Sequence, residues 1–171
     1  MYNKFTKKTN PKGSFDYGCI MADVEIPYMI ELQSLIKLPD LYFGDNPTQY
    51  GMENEPHVTL LYGIEETVPI LDVRYALSKF NMEQITVTGI NCFENEEFDV
   101  LKFDVDNREL KHFNLLLKSS LEHVPSKYDY NPHITIAYLN KGMGKFYVET
   151  LNERIKPSYL PILNLSFNVS T

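Results

Sequence analysis

The chain lacks tryptophan altogether, has only two cysteines, and contains no apolar run near the ~18 residues that a membrane span needs. Cys19 and Cys92 fit neither a disulfide framework nor a zinc motif. Neither HExxH nor an HxH spacing is present, so no metal and no cofactor is expected. Basic residues are also short: 16 Lys and Arg stand against 23 Asp and Glu, a net charge of −7. That deficit argues against tight binding of long nucleic acid, where a basic surface supplies most of the affinity. It leaves room for a small nucleotide in a locally basic pocket. The N-terminal MYNKFTKKTN has no apolar signal-peptide core, so a cytoplasmic protein with no membrane association is expected. With 43% apolar and 23% charged residues, 171 residues suit one soluble domain spanning 1–171.

Residues 1–14 are polar and lysine-rich, and read as a flexible or loosely packed arm. Residues 15–26 turn apolar and predict a first strand. Residues 27–37 space Met29, Leu32, Leu35 and Ile36 as one face of a helix after Pro27. The stretch 38–56 has no clear period; loops of that length are often functional lids, and a short turn can also sit inside one. A strand over 57–62, a helix over 68–80 and a hairpin of 84–93 with 98–105 follow. The clearest helix is 107–121, capped by Asn107 and striped by Leu110, Phe113, Leu117 and Leu121. A strand over 133–138, a helix near 145–155 and a last strand over 161–169 complete a β-α-β-α-β-β-α-β-α-β order. One α+β domain with mixed or mostly antiparallel sheets is expected.

The chemistry is carried by an internal repeat. Residues 56–62 are PHVTLLY and residues 132–138 are PHITIAY, 76 residues apart, and they use two of the four histidines. Strand alternation places His57, Thr59 and Leu61 on one face, with Val58, Leu60 and Tyr62 opposite. His133, Thr135 and Ala137 share the corresponding face, with Ile134, Ile136 and Tyr138 behind them. Two opposed imidazoles suit phosphodiester cleavage without a metal: one accepts the proton of an attacking hydroxyl and the other protonates the leaving oxygen. The threonine hydroxyls, two residues along, are placed to bind a non-bridging phosphate oxygen. Near-symmetry leaves open which histidine is acid and which is base.

These paired His-x-Thr motifs resemble the two-histidine (2H) phosphoesterase superfamily. The resemblance implies a pseudo-symmetric two-lobed fold around a central cleft, with helices outside. It also implies His57 and His133 as acid and base, and Thr59 and Thr135 as phosphate ligands. Small size, the NPHITIAY context and Phe15-Asp16-Tyr17-Gly18-Cys19 at the first strand look most like the phage anti-CBASS group, which degrades cyclic di- and trinucleotide immune signals. That likeness implies a cyclic di- or trinucleotide partner, a host-cytoplasm location and Tyr17 as a base-stacking, substrate-binding residue. The group's stacking set includes tryptophan, so Tyr or Phe must substitute here.

Among the remaining residues, Tyr17, Tyr42, Phe43, Tyr50 and Phe93 lie where stacking on bases is feasible. Tyr62 and Tyr138 fall on the packing face by parity. His112 reads as a surface residue and His123 as a helix C-terminal cap. Glu55 and Asn131, each two residues before a motif histidine, are candidates to orient the imidazoles. The rival readings are an enzyme acting on RNA 2′,3′-cyclic ends and a non-catalytic sponge for cyclic nucleotides.

Overall fold

The computed structural model describes residues 5–9, 17–45 and 47–169. Its elements are β1 (Phe5–Thr9), β2 (Gly18–Val24), α1 (Met29–Ser34), β3 (His57–Ile64), α2 (Ile70–Leu77), β4 (Gln84–Glu94), β5 (Phe98–Val105), α3 (Arg108–Ser120), β6 (His133–Asn140), α4 (Gly144–Asn152) and β7 (Ser158–Val169), with a 3₁₀ turn at Leu38–Asp40. From β2 onward the chain therefore runs twice through β-α-β-α-β. The third strand of each repeat completes the other repeat's lobe. β7 pairs with β2, whose far edge holds β3, and β4 pairs with β5, whose far edge holds β6.

The two antiparallel lobes meet at two places. β3 and β6 touch through the single bridge Val58↔Ile134, and the start of β7 pairs with the start of β4. Helices cover the apolar side of the lobes, where α3 lays Leu110, Phe113 and Leu117 into a core shared with Val58, Leu60, Ile134 and Ile136. Burying each such aliphatic side chain contributes roughly 1.5–3 kcal/mol, which leaves the opposite face free to be polar. The fold is thus α+β and pseudo-symmetric, two lobes around a central cleft with helices outside. Among the described residues no helix is long and apolar enough to cross a membrane.

Several boundaries and faces depart from expectation. Residues 5–9, placed in a loose arm, form β1, parallel to β7 with Phe5 opposite Leu165. Phe5 packs against the core, with the Arg74 guanidinium 5.2 Å from its ring. The remainder of that arm and the first residues of the expected 15–26 strand lie outside the described residues. The first helix is shorter than 27–37 because Pro39 and the 3₁₀ turn follow closely, and Leu35 is left exposed. Asn107 occupies the N-cap position of α3 but makes no side-chain cap bond.

The largest departure concerns parity. β3 carries a bulge at Leu60–Leu61, where Ile20 pairs with Leu61 and Met21 with Thr59. β6 carries the matching bulge at Ile136–Ala137, where Leu101 pairs with Ala137 and Lys102 with Thr135. One extra residue reverses every later side chain. Leu61 and Ala137 consequently enter the core, and Tyr62 and Tyr138 turn to the cleft face.

Candidate active site

The Val58↔Ile134 bridge sets the geometry of the two motifs. Both bridging side chains are fully buried, so their neighbours on each strand face the cleft. Antiparallel register about that bridge brings His57 to the side of Thr135 and Thr59 to the side of His133. All four residues predicted as the site are therefore gathered around one local twofold.

Each imidazole is held in the same way. His57 Nδ1 lies 2.7 Å from the Glu55 carbonyl and His133 Nδ1 lies 2.8 Å from the Asn131 carbonyl. A ring nitrogen meets a carbonyl only by donating, so Nδ1 carries a proton and Nε2 is the atom left to take or give one. Glu55 and Asn131 do orient the rings, through the backbone and not through their side chains. The intervening proline in each motif takes the preceding residue to extended backbone.

Each threonine also has a polar neighbour: the Cys19 thiol lies beside the Thr59 hydroxyl, and the Tyr138 phenol beside the Thr135 hydroxyl. Burial pushes the Cys19 thiol up to about 12 and raises the Tyr138 phenol, so both stay protonated.

The lobes differ in charge beneath this symmetric set. Across the sheet, Asp23 pairs with His57 in register and Asp104 pairs with His133. Asp23 accepts from Ser166 at 3.1 Å and Asn164 at 3.2 Å. Asp104 instead forms an ion pair with Lys102, which is only 3% exposed. The residue at the position of Lys102 in the other lobe is Met21, opposite Thr59. The Lys102 ammonium also sits 4.5 Å from the centre of the Phe93 ring, whose edge meets His133 at 4.9 Å. His133 is held below the ordinary imidazole range, first by burial and then by the Lys102 and His57 charges. The bond to the Asn131 carbonyl and the Asp104 charge offset this only in part.

Two connections flank the ends of the cleft, and they too are related by the repeat. The segment after α1 takes the free edge of β6: Tyr42 N–H donates to Tyr138 O, Tyr138 N–H to Gly51 O, and Glu53 N–H to Ile136 O. It carries Tyr42 and Tyr50 onto Phe98 and Tyr138, with ring centres 4.9–5.8 Å apart. Tyr42 and Tyr50, candidates for base stacking, thus stack on this end's own rings. The segment after α3 takes the edge of β3. Val124 N–H donates to Gly63 O, and Tyr130 Oη donates to Thr59 O at 2.9 Å. Gly63 adopts φ +92°, and a Cβ there would stand 3.1 Å from Val124 O, so only glycine lets this segment approach.

This second end is open. A cavity of about 970 Å³ runs from Thr59 and His133 to Tyr17, Tyr62, Lys118 and His123. Tyr17 and Tyr62 meet edge to face at 6.3 Å, matching the Phe98–Tyr138 pair of the closed end. His57 and Thr135 lie outside this cavity's lining. The role of the 121–131 segment has no counterpart in the sequence reading, where it carries no periodicity. Its signal is the third histidine: His123, expected as a helix cap, lines the cavity and binds the Leu121 carbonyl through Nδ1.

Fold and site together define a pseudo-symmetric two-lobed protein with a His-x-Thr pair from each lobe at the centre of its cleft. No protein-family model matches the chain, and no curated protein matches its sequence. Among solved structures, Usb1 of Kluyveromyces marxianus is similar, with a TM-score of 0.48 and 11% identity over 82% of each chain. Usb1 of the same organism with uridine monophosphate has a TM-score of 0.46 and 10% identity over 81% of this chain and 80% of that one.

Proposed function

We propose that this protein is a metal-independent phosphodiesterase of the 2H type that cleaves the 3′–5′ bond of a short ribonucleotide. The observation carrying the proposal is the duplicated clamp, Nδ1 to the carbonyl two residues back, which gives two imidazoles with Nε2 free beside two threonine hydroxyls. His133, half-buried and beside Lys102, is kept neutral and serves as the base. Its Nε2 takes the proton from a ribose 2′-OH or a water as that oxygen attacks phosphorus. The bond from phosphorus to the 5′-oxygen breaks, and His57, protonated at Nε2, gives its proton to that leaving oxygen. Thr59 and Thr135 donate to the non-bridging oxygens as their charge grows. Tyr17 and Tyr62 hold a base in the open cavity.

Cyclic di- and trinucleotides are the substrates this reading favours, with removal of a CBASS-type immune signal as the consequence. The net charge of −7 and an aromatic cluster filling one end of the cleft suit a compact ligand better than a long strand passing through. A pocket open at one end also suits the terminal nucleotide of an RNA, so RNA-end processing is the second reading.

The test is incubation in EDTA with cyclic di- and trinucleotides and with a linear RNA ending in a 2′,3′-cyclic phosphate, the products being resolved by mass. Opening of the cyclic nucleotides alone is the expected result. Action on the RNA end alone would move the assignment to RNA processing, and recovery of intact bound ligand would make the protein a sponge.

A further inference from the structure

The two ends of the cleft descend from one repeat yet differ in charge as well as in openness. The closed end is sealed by Tyr42, Tyr50, Phe98 and Tyr138. The open cavity continues past Tyr17 and Tyr62 to Lys118, His123 and Lys127. Lys118 sits in the last turn of α3, and His123 is bridged in register to Ile64 at the end of β3. With His123 Nδ1 engaged by the Leu121 carbonyl at 2.8 Å, Nε2 is its remaining polar atom. Among the described residues neither Lys118 nor Lys127 forms an ion pair. Two carboxylates also border the cavity: Glu94, paired with Lys145 at 3.3 Å, and the exposed Asp129.

Resting on the phosphodiesterase reading, we propose that Lys118, His123 and Lys127 form a second phosphate subsite, one nucleoside away from the catalytic histidines. From Thr59 to Ile64 is five residues, or ~16 Å at ~3.3 Å per residue, shortened by the bulges of β3. The lysines reach back into that span on flexible four-carbon stems. Between the two anion sites the cavity presents Tyr17, Tyr62 and Tyr130, aromatic surface suited to a base and its ribose. The substrate class is therefore a nucleotide flanked by phosphates on both sides. The second phosphate is either the other bridging phosphate of a cyclic dinucleotide or a terminal phosphate of a linear one.

The experiment measures binding, so it does not depend on turnover. Adenosine 3′,5′-bisphosphate is compared with adenosine 3′- and 5′-monophosphate by calorimetry at fixed salt. Wild type is expected to bind the bisphosphate about tenfold or more tightly than either monophosphate, as charge-assisted hydrogen bonds to a second anion require. The Lys118→Ala/His123→Gln double variant is expected to lose that preference, and Lys118→Arg to keep it. A fold-level defect would weaken all three ligands alike and leave their ratio unchanged. Equal binding of all three by wild type, or a preference that survives in the double variant, overturns the subsite. If the preference behaves as expected while no phosphodiester is cleaved, the subsite stands and the catalytic reading fails. Relative kcat/KM for a cyclic dinucleotide and a 5′-phosphorylated linear dinucleotide then identifies the source of the second phosphate.

Discussion

His57→Ala and His133→Ala each lower kcat/KM by about 10²–10⁴-fold, the range that a positioned general acid or base supplies. The loss is expected at nearly unchanged stability. Both rings are only partly buried, and each gives up one hydrogen bond to a backbone carbonyl, worth about 1 kcal/mol, or a few degrees in Tm. Removing one imidazole leaves the other without a partner for the second proton transfer. The double variant should therefore fall far short of the product of the two single losses. His123→Ala is the contrast, since His123 shares the Nδ1 clamp but lies at the end of the cavity. Its effect is expected in substrate binding, with kcat largely retained. Steady-state kinetics with thermal melts on the three variants check this. Full activity in either His57→Ala or His133→Ala would refute the assignment.

Thr59→Val and Thr135→Val are expected to reduce kcat by about 10²–10³-fold each, with KM changed much less, because the donated bond strengthens as charge builds on phosphate oxygen. Thr→Val keeps the volume and removes the hydroxyl, so the effect is chemical and not a cavity. Thr→Ser restores the donor and should recover most of the rate. Cys19→Ala and Tyr138→Phe remove the group behind each hydroxyl and not the hydroxyl itself, so their losses should be smaller. An equal loss in Thr→Val and Thr→Ser would mean that packing, and not the hydroxyl, matters at these positions.

The element order and the four central residues were legible because both follow from local pattern. Apolar spacing predicts α3 to within one residue at each end, and the hairpin of β4 and β5 to within one residue overall. The two motifs announce themselves by repetition. What failed depends on the neighbouring strand. The bulges at Leu60–Leu61 and Ile136–Ala137 contain no glycine, so nothing local marks them, yet they reverse Tyr62 and Tyr138. β1 is a parallel pairing between residues some 160 positions apart, which no window in the sequence can reveal. Lys102 was visible as a charge within FDVLKFDV, and it shares a face with Asp104 by simple alternation. Its place beneath His133 required the β5–β6 register. Tyr17 was expected from resemblance alone; the structure puts it in the open cavity against Tyr62.

The asymmetry beneath the two histidines has a consequence in pH. The base must be neutral to work, and His133 is held below its ordinary value of about 6.5 by burial and by Lys102. The acidic limb of kcat/KM, which reports the free enzyme's essential base, therefore falls below the range of an ordinary imidazole. In Lys102→Met the opposing charge is gone and Asp104 loses its ion-pair partner. Both changes favour the imidazolium, so the limb moves to higher pH. The decisive measurement is this pH profile, taken in EDTA on a cleavable dinucleotide for wild type and Lys102→Met. Two-imidazole catalysis predicts a bell-shaped curve, undiminished by the chelator, with the acidic limb displaced upward in the variant. Activity that vanishes in EDTA and returns with a divalent cation, or that climbs with pH without a basic limb, would contradict two-imidazole catalysis.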